Sequence, residues 1–206
     1  MPCNTNFLLV QLSLERADSA ALVEAGASFC AQSPVPISLH RVACSVAGQT
    51  AYLYARLVTP TVLEDSVLPT LVSLFERVCT GARDVRVSRL EKVFDIEGAS
   101  HAETPGFHYV VEMDPEAGWM PEIARWYDTE HMPGLASVPG CVHAMRLINR
   151  DHGPWSLACY DLVTAQTLDS PAWLAVRASA WSDITRPHFT NTQRTMFEVI
   201  ASGERG

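Results

Sequence analysis

Leu57-Val58-Thr59 and, later in the chain, Leu162-Val163-Thr164 read as the same end of a strand met twice. Working outward, the correspondence holds. Asp65-Ser66 and Asp169-Ser170 follow, and each suits a helix start. Upstream, a second strand ends near Arg41 in one copy and near Arg146 in the other. A proline-containing turn comes before each, Ser33-Pro34-Val35-Pro36 against Ser137-Val138-Pro139-Gly140. Before that turn lies a helical stretch. Each copy opens on an apolar strand, Phe7-Leu8-Leu9-Val10-Gln11-Leu12 and Phe107-His108-Tyr109-Val110-Val111-Glu112. Each closes on another, Lys92-Val93-Phe94-Asp95-Ile96 and Thr195-Met196-Phe197-Glu198-Val199.

The order is β-α-β-β-α-β, twice, which is the ferredoxin-like unit. The expected fold is therefore α+β: two tandem ferredoxin-like repeats, residues 1–98 and 107–206, packing sheet to sheet as an α/β barrel. The stretch 98–106, Gly-Ala-Ser-His-Ala-Glu-Thr-Pro-Gly, is rich in turn formers and reads as the connector. A tandem repeat can bury within one chain the faces that a two-fold dimer buries between chains. The expected state is a monomer with an internal pseudo-two-fold, or a homodimer.

The formal charge of −8, from 15 basic and 23 acidic residues, argues against nucleic-acid binding and against adhesion to an anionic membrane. No secretory leader and no membrane-spanning apolar run is visible, so a cytoplasmic protein acting on a small molecule is expected. Cys3, Cys30, Cys44, Cys79, Cys141 and Cys159 are scattered without a Cys-x-x-Cys pair, which suits reduced, packed thiols. No nucleotide-binding loop, metal-ligand spacing or serine nucleophile elbow occurs, so neither a cofactor nor a metal is expected.

Chemistry concentrates in the second copy. Its first helix, expected over Pro121–Pro133, places Tyr127 and His131 four residues apart on one face, with Ile123 one turn earlier. An imidazole can exchange protons near neutral pH, and a phenol can donate to a carbonyl or enolate oxygen. The plainer alternative is a histidine that only answers the negative end of the helix dipole. Comparing the copies favours the first reading. Trp126, Tyr127 and His131 fall, within a residue, against Ala21, Leu22 and Gly26. Six of the seven histidines also lie after residue 100.

Strand alternation adds His108 and Glu112, which share a face and could look into the space in front of His131. Arg146 on the second strand offers a fork for a carboxylate, although its counterpart Arg41 is equally consistent with a structural role. The second helix begins at Ser170-Pro171, carries Trp173, Leu174, Trp181 and Ile184 at helical spacing with Arg177 beside them, and ends at Pro187. Trp181 and His188 are candidates for the wall and mouth of the pocket, with core packing the alternative for the tryptophans.

Trp126-Tyr127-Asp128-Thr129-Glu130-His131-Met132-Pro133, followed by Val138-Pro139-Gly140, resembles the signature of the EthD-like branch of the dimeric α/β-barrel superfamily. Trp181 and Arg186-Pro187-His188-Phe189 are similar to that family's second helix and its exit. The resemblance covers nearly all of the second copy, while the first copy lacks the motif. It implies a cavity between helices and sheet in which His131 does acid–base work, with Trp126 and Tyr127 shaping or polarising the pocket. The implied activity is a cofactor-independent isomerase or cyclase. It would move a proton on a small conjugated carbonyl or carboxylate compound, with His131, Tyr127 and His108 as catalytic groups. Trp126, Arg146, His188, Trp181 and Glu112 would bind substrate. The alternatives are a cofactor-free monooxygenase on a phenol, a haem-binding protein, and a non-catalytic barrel.

Overall fold

The computed structural model describes residues 4–47 and 49–203. Two compact units result: Met1–Glu91 with Phe197–Gly206, and Lys92–Met196. The fold is α+β, and both units follow the ferredoxin-like element order.

In the first unit the strands are β1 (Thr5–Ser13), β2 (Ile37–Ser45), β3 (Thr50–Thr61) and the start of β4 (Arg83–Glu97). The helices are α1 (Ser19–Gln32) and α2 (Val67–Val78). Strand β1 lies between β3 and β4, and β2 pairs with β3, all antiparallel. The open edge of β2 is covered by the last residues of β8 (Phe189–Ser202), with Arg41 opposite Ser202 and Ser45 opposite Phe197. Strand β2 thus runs four residues beyond Arg41, where the sequence reading ended it. Asp18 caps α1 by accepting from Ala21 N at 3.1 Å. The core joins Leu8, Val10, Phe29, Leu53, Leu57, Leu71 and Phe75.

The second unit repeats the plan with β5 (Phe107–Pro115), β6 (Cys141–Asn149), β7 (Ser156–Leu162) and most of β8. Its strand order is β8-β5-β7-β6. The expected first helix is not one regular helix. It divides into α3 (Met120–Trp126), a π-helical turn (Tyr127–His131) and α4 (Met132–Ala136). The expected second helix is also broken, into α5 (Pro171–Arg177) and α6 (Ala180–Thr185). Ser170 caps α5 through Trp173 N, as its sequence position implies. Ser179 then caps a new helix by accepting from Ser182 N, which ends the first one early. Trp173 and Leu174, neighbours in α5, point to different sides, so the first is buried and the second exposed, and Ile184 on α6 is also exposed.

The connector after β4 is fastened to this unit. Gly98 N donates to Val142 O, Ala99 N to Ala136 O and Ser100 N to Cys141 O. A Cβ on Gly98 would stand 2.2 Å from the Cys141 carbonyl oxygen, so only glycine fits. Gly98→Ala is therefore expected to lower unfolding free energy by about 2–4 kcal/mol, read by urea denaturation. Cys30, Cys44, Cys79, Cys141 and Cys159 are free thiols, and Cys3 lies outside the described residues. No helix among the described residues is long and apolar enough to cross a membrane.

Candidate functional site

The π-helical turn determines what His131 meets. A π-turn inserts a residue into the helix and brings positions five apart onto one side. Trp126 and His131, five apart, stack with ring centroids 4.1 Å apart and planes 22° from parallel. In an uninterrupted α-helix they would diverge. Tyr127 stands edge-on to His131 at 5.7 Å. The three side chains singled out by comparing the two copies are thus brought together, by a widened turn rather than a plain helix.

They line a hollow with Tyr109, Val111, Leu135, Tyr160, Trp173, Phe189 and three arginines, Arg177, Arg186 and Arg194. The hollow is narrow and holds about 380 Å³ of space between its walls, counting its open mouth. Its inner wall is aromatic. Tyr160 lies 6.3 Å from Tyr109, its cross-strand neighbour, and edge-on to Trp173 at 5.3 Å.

Three buried polar atoms on this wall have no hydrogen-bond partner in the protein: Trp126 Nε1, His131 Nδ1 and Tyr160 Oη. Their residues are 0%, 8% and 1% exposed. A buried donor or acceptor left unpaired costs about 1–3 kcal/mol. All three belong to residues that line the hollow, which makes it the candidate site of this unit.

Burial, reinforced by Arg186 and Arg177, holds the His131 pKa down at about 3. Burial also pushes the phenols of Tyr127 and Tyr160 well up. At neutral pH the site therefore presents a neutral imidazole and neutral phenols, which can accept one proton and donate hydrogen bonds. The His131 shift has a consequence for stability. The unfolded chain takes up a proton here below about pH 6.5, and the folded chain does so only near pH 3. Stability contributed by this residue is intact above pH 6.5 and falls as pH drops toward 3. The slope reaches up to about 1.4 kcal/mol per pH unit. Urea denaturation of the wild type and His131→Leu at pH 7 and pH 5 should show the wild type losing more stability than the variant.

The other sequence candidates lie elsewhere. His108 and Glu112 are buried, but the residues of β5 that line the hollow are Tyr109 and Val111, on the opposite face. His108 Nδ1 instead bonds Asp161 Oδ1 at 2.7 Å, and Asp161 faces His143, whose Nε2 bonds Asp95. Arg146 points toward the π-turn, yet its guanidinium is held by both oxygens of Asp128 at 2.9 and 3.1 Å. Its carboxylate partner is thus internal. It reaches the site only as a charge 5.8 Å from the Tyr127 ring. His188 stacks on Trp119 and bonds Glu116, and Trp181 donates to Glu122 Oε1 beneath Arg125. None of these five lines the hollow. Sequence reasoning missed Tyr109, Tyr160, Arg186 and Arg194. Tyr160 was findable in principle, since it faces Tyr109 across paired strands.

A ferredoxin-like α+β protein with an aromatic hollow, a buried neutral imidazole and unpaired polar atoms in its second unit is the class that fold and site define. No known family signature and no curated protein sequence matches the chain. Solved structures do. A "putative monooxygenase" from Lactobacillus acidophilus NCFM superposes with a TM-score of 0.66 at 12% identity, covering 98% of this chain and 97% of that one. An anthrone oxidase-like protein gives 0.64 at 12% identity, covering 97% and 93%. A haem-degrading enzyme from Listeria monocytogenes gives 0.54 at 8% identity, covering 93% and 98%. At such identities the likeness is one of fold.

Proposed function

We propose that the chain is a cofactor-independent enzyme of the EthD-like type, in which residues 107–206 carry the active site and residues 1–98 support it. It moves a proton on a small conjugated carbonyl compound bound beside His131. The observation that supports this most is that Trp126, His131 and Tyr160, each with a buried polar atom that has no partner in the protein, line one aromatic hollow.

His131 accepts a proton from the carbon next to the substrate carbonyl, its basicity restored once the negative charge of the bound substrate offsets Arg186 and Arg177, which hold its pKa down in the empty site. Negative charge develops on the carbonyl oxygen as the C–H electron pair moves into the enolate. The Tyr160 hydroxyl and the Trp126 indole N–H donate to that oxygen, and both are donors without competing protein acceptors. His131 then returns the proton at a conjugated carbon, and the double bond shifts. Atoms balance without an oxidant. Tyr127 forms the edge-on wall that keeps the imidazole oriented.

The test is solvent exchange. Candidate conjugated ketones and lactones incubated with the protein in heavy water should gain deuterium by mass spectrometry, while dissolved oxygen stays constant. Stoichiometric oxygen consumption would instead establish the second reading, a cofactor-free monooxygenase. The names borne by two of the neighbours lend that reading its support.

A further inference from the structure

Two arginines of the second unit are paired with acids. Arg146 is held by Asp128 and Arg125 by Glu122. Arg177, Arg186 and Arg194 differ. They come from three elements, the end of α5, the 3₁₀ turn Arg186–His188 and β8, and they converge on the hollow. Among the described residues none of the three forms an ion pair, and no carboxylate lines the hollow with them. Asp183 lies near enough to favour the charge on Arg186 but makes no ion pair with it. The cations also oppose one another: burial, then Arg177 and Arg194, makes the charge on Arg186 harder to hold. Its one anchor is Nη1 donating to the Arg177 carbonyl at 3.2 Å, which fixes the guanidinium beside its neighbour.

Three mutually repelling guanidinium groups without counter-ions, in a chain of net charge −8, are unfavourable unless a ligand brings the missing anion. Their depth indicates how that ligand lies. Arg177 and Arg186 are half-buried and Arg194 is exposed, whereas Trp126, Tyr160 and Trp173 are buried. Positive charge rims the mouth, and aromatic surface forms the interior.

We propose that Arg177, Arg186 and Arg194 form a carboxylate-recognition rim, so that the substrate is the anion of an aromatic or conjugated acid, carboxylate at the mouth and unsaturated body within. This rests on the hollow beside His131 being the substrate site. Guanidinium forks match a carboxylate's two oxygens, and the aromatic walls match a flat conjugated body. The rim replaces Arg146, whose fork is taken by Asp128. The body enters by displacing mouth side chains, Arg194 and Phe189 first, since the empty interior is narrow.

The experiment is calorimetric titration of the full chain with trans-cinnamate and with its uncharged isostere, trans-cinnamamide. Cinnamate should bind at least about tenfold more tightly than the amide, with affinity falling as salt rises. Arg177→Gln with Arg186→Gln should remove that preference while leaving amide affinity unchanged. Arg194→Gln, at an exposed position that poses little risk to folding, should reduce it several-fold. Equal affinity for acid and amide, no saturable binding of cinnamate at millimolar concentration, or folded arginine variants with unaltered preference would overturn the proposal. Inorganic sulfate competing as well as cinnamate would also overturn it, because the rim would then be reading charge without the conjugated body. His131→Ala should keep the preference for cinnamate. Deuterium exchange that persists in folded His131→Ala, or is missing in the wild type, with that preference intact would therefore sink the catalytic reading alone. Loss of the preference with exchange intact would sink the carboxylate rim alone.

Discussion

Replacing His131 with alanine is expected to lower turnover of the proton-transfer substrate by about 10²–10⁴-fold, the range typical of a lost general base. The reasoning starts from the π-helical turn. It stacks the imidazole on Trp126 and leaves Nδ1 without a protein partner. No other imidazole lines the hollow, and its three arginines are protonated, so no neighbouring group substitutes as base. Folding should survive, because the ring makes no hydrogen bond through Nδ1 whose loss would be felt. Steady-state kinetics should show the fall in kcat with little change in KM, since the lost interaction belongs to the transition state. An unchanged kcat in a folded variant would remove His131 from the mechanism.

Tyr160→Phe is expected to slow turnover by about 10²–10³-fold while leaving the empty protein equally stable or about 1 kcal/mol more stable. The two effects share one cause. The Tyr160 hydroxyl is buried, remains protonated because burial pushes its pKa well up, and has no partner in the protein. Removing it relieves an unsatisfied group and deprives a developing enolate oxygen of its donor. A residue kept for packing would lose stability on truncation and leave the rate alone. Paired measurements of kcat and urea midpoint separate the two outcomes.

The duplicated element order was legible in the sequence because the apolar strands, the proline turns and the helix starts at Ser66 and Ser170 recur in the same order. The group Trp126, Tyr127 and His131 was legible for a related reason: the first copy carries Ala21, Leu22 and Gly26 there, so the polar and aromatic groups stood out against a silent scaffold. The π-helical turn was not, since residue preference hardly distinguishes it from an α-helix, and it alters which side chains stack. The face of β5 could not be assigned either. Val110 and Met113 on that strand are fully buried along with His108, so alternation marked two faces without saying which looks at the helices. That ambiguity placed His108 and Glu112 in front of His131, where Tyr109 and Val111 stand. Arg146 lies off the hollow with its fork on Asp128, which sits on the turn whose geometry was hidden. Arg177, Arg186 and Arg194 are scattered along the chain and converge only once the broken second helix brings them round.

The most direct measurement is the titration of His131 by NMR of ring-labelled protein without ligand. The account predicts an imidazole that stays neutral through the physiological range and gains its proton only on approach to about pH 3, with its resonance absent from the spectrum of His131→Ala. A midpoint near 6.5, as for a ring in open water, would contradict the enclosure of His131 beside Trp126 on which the account rests.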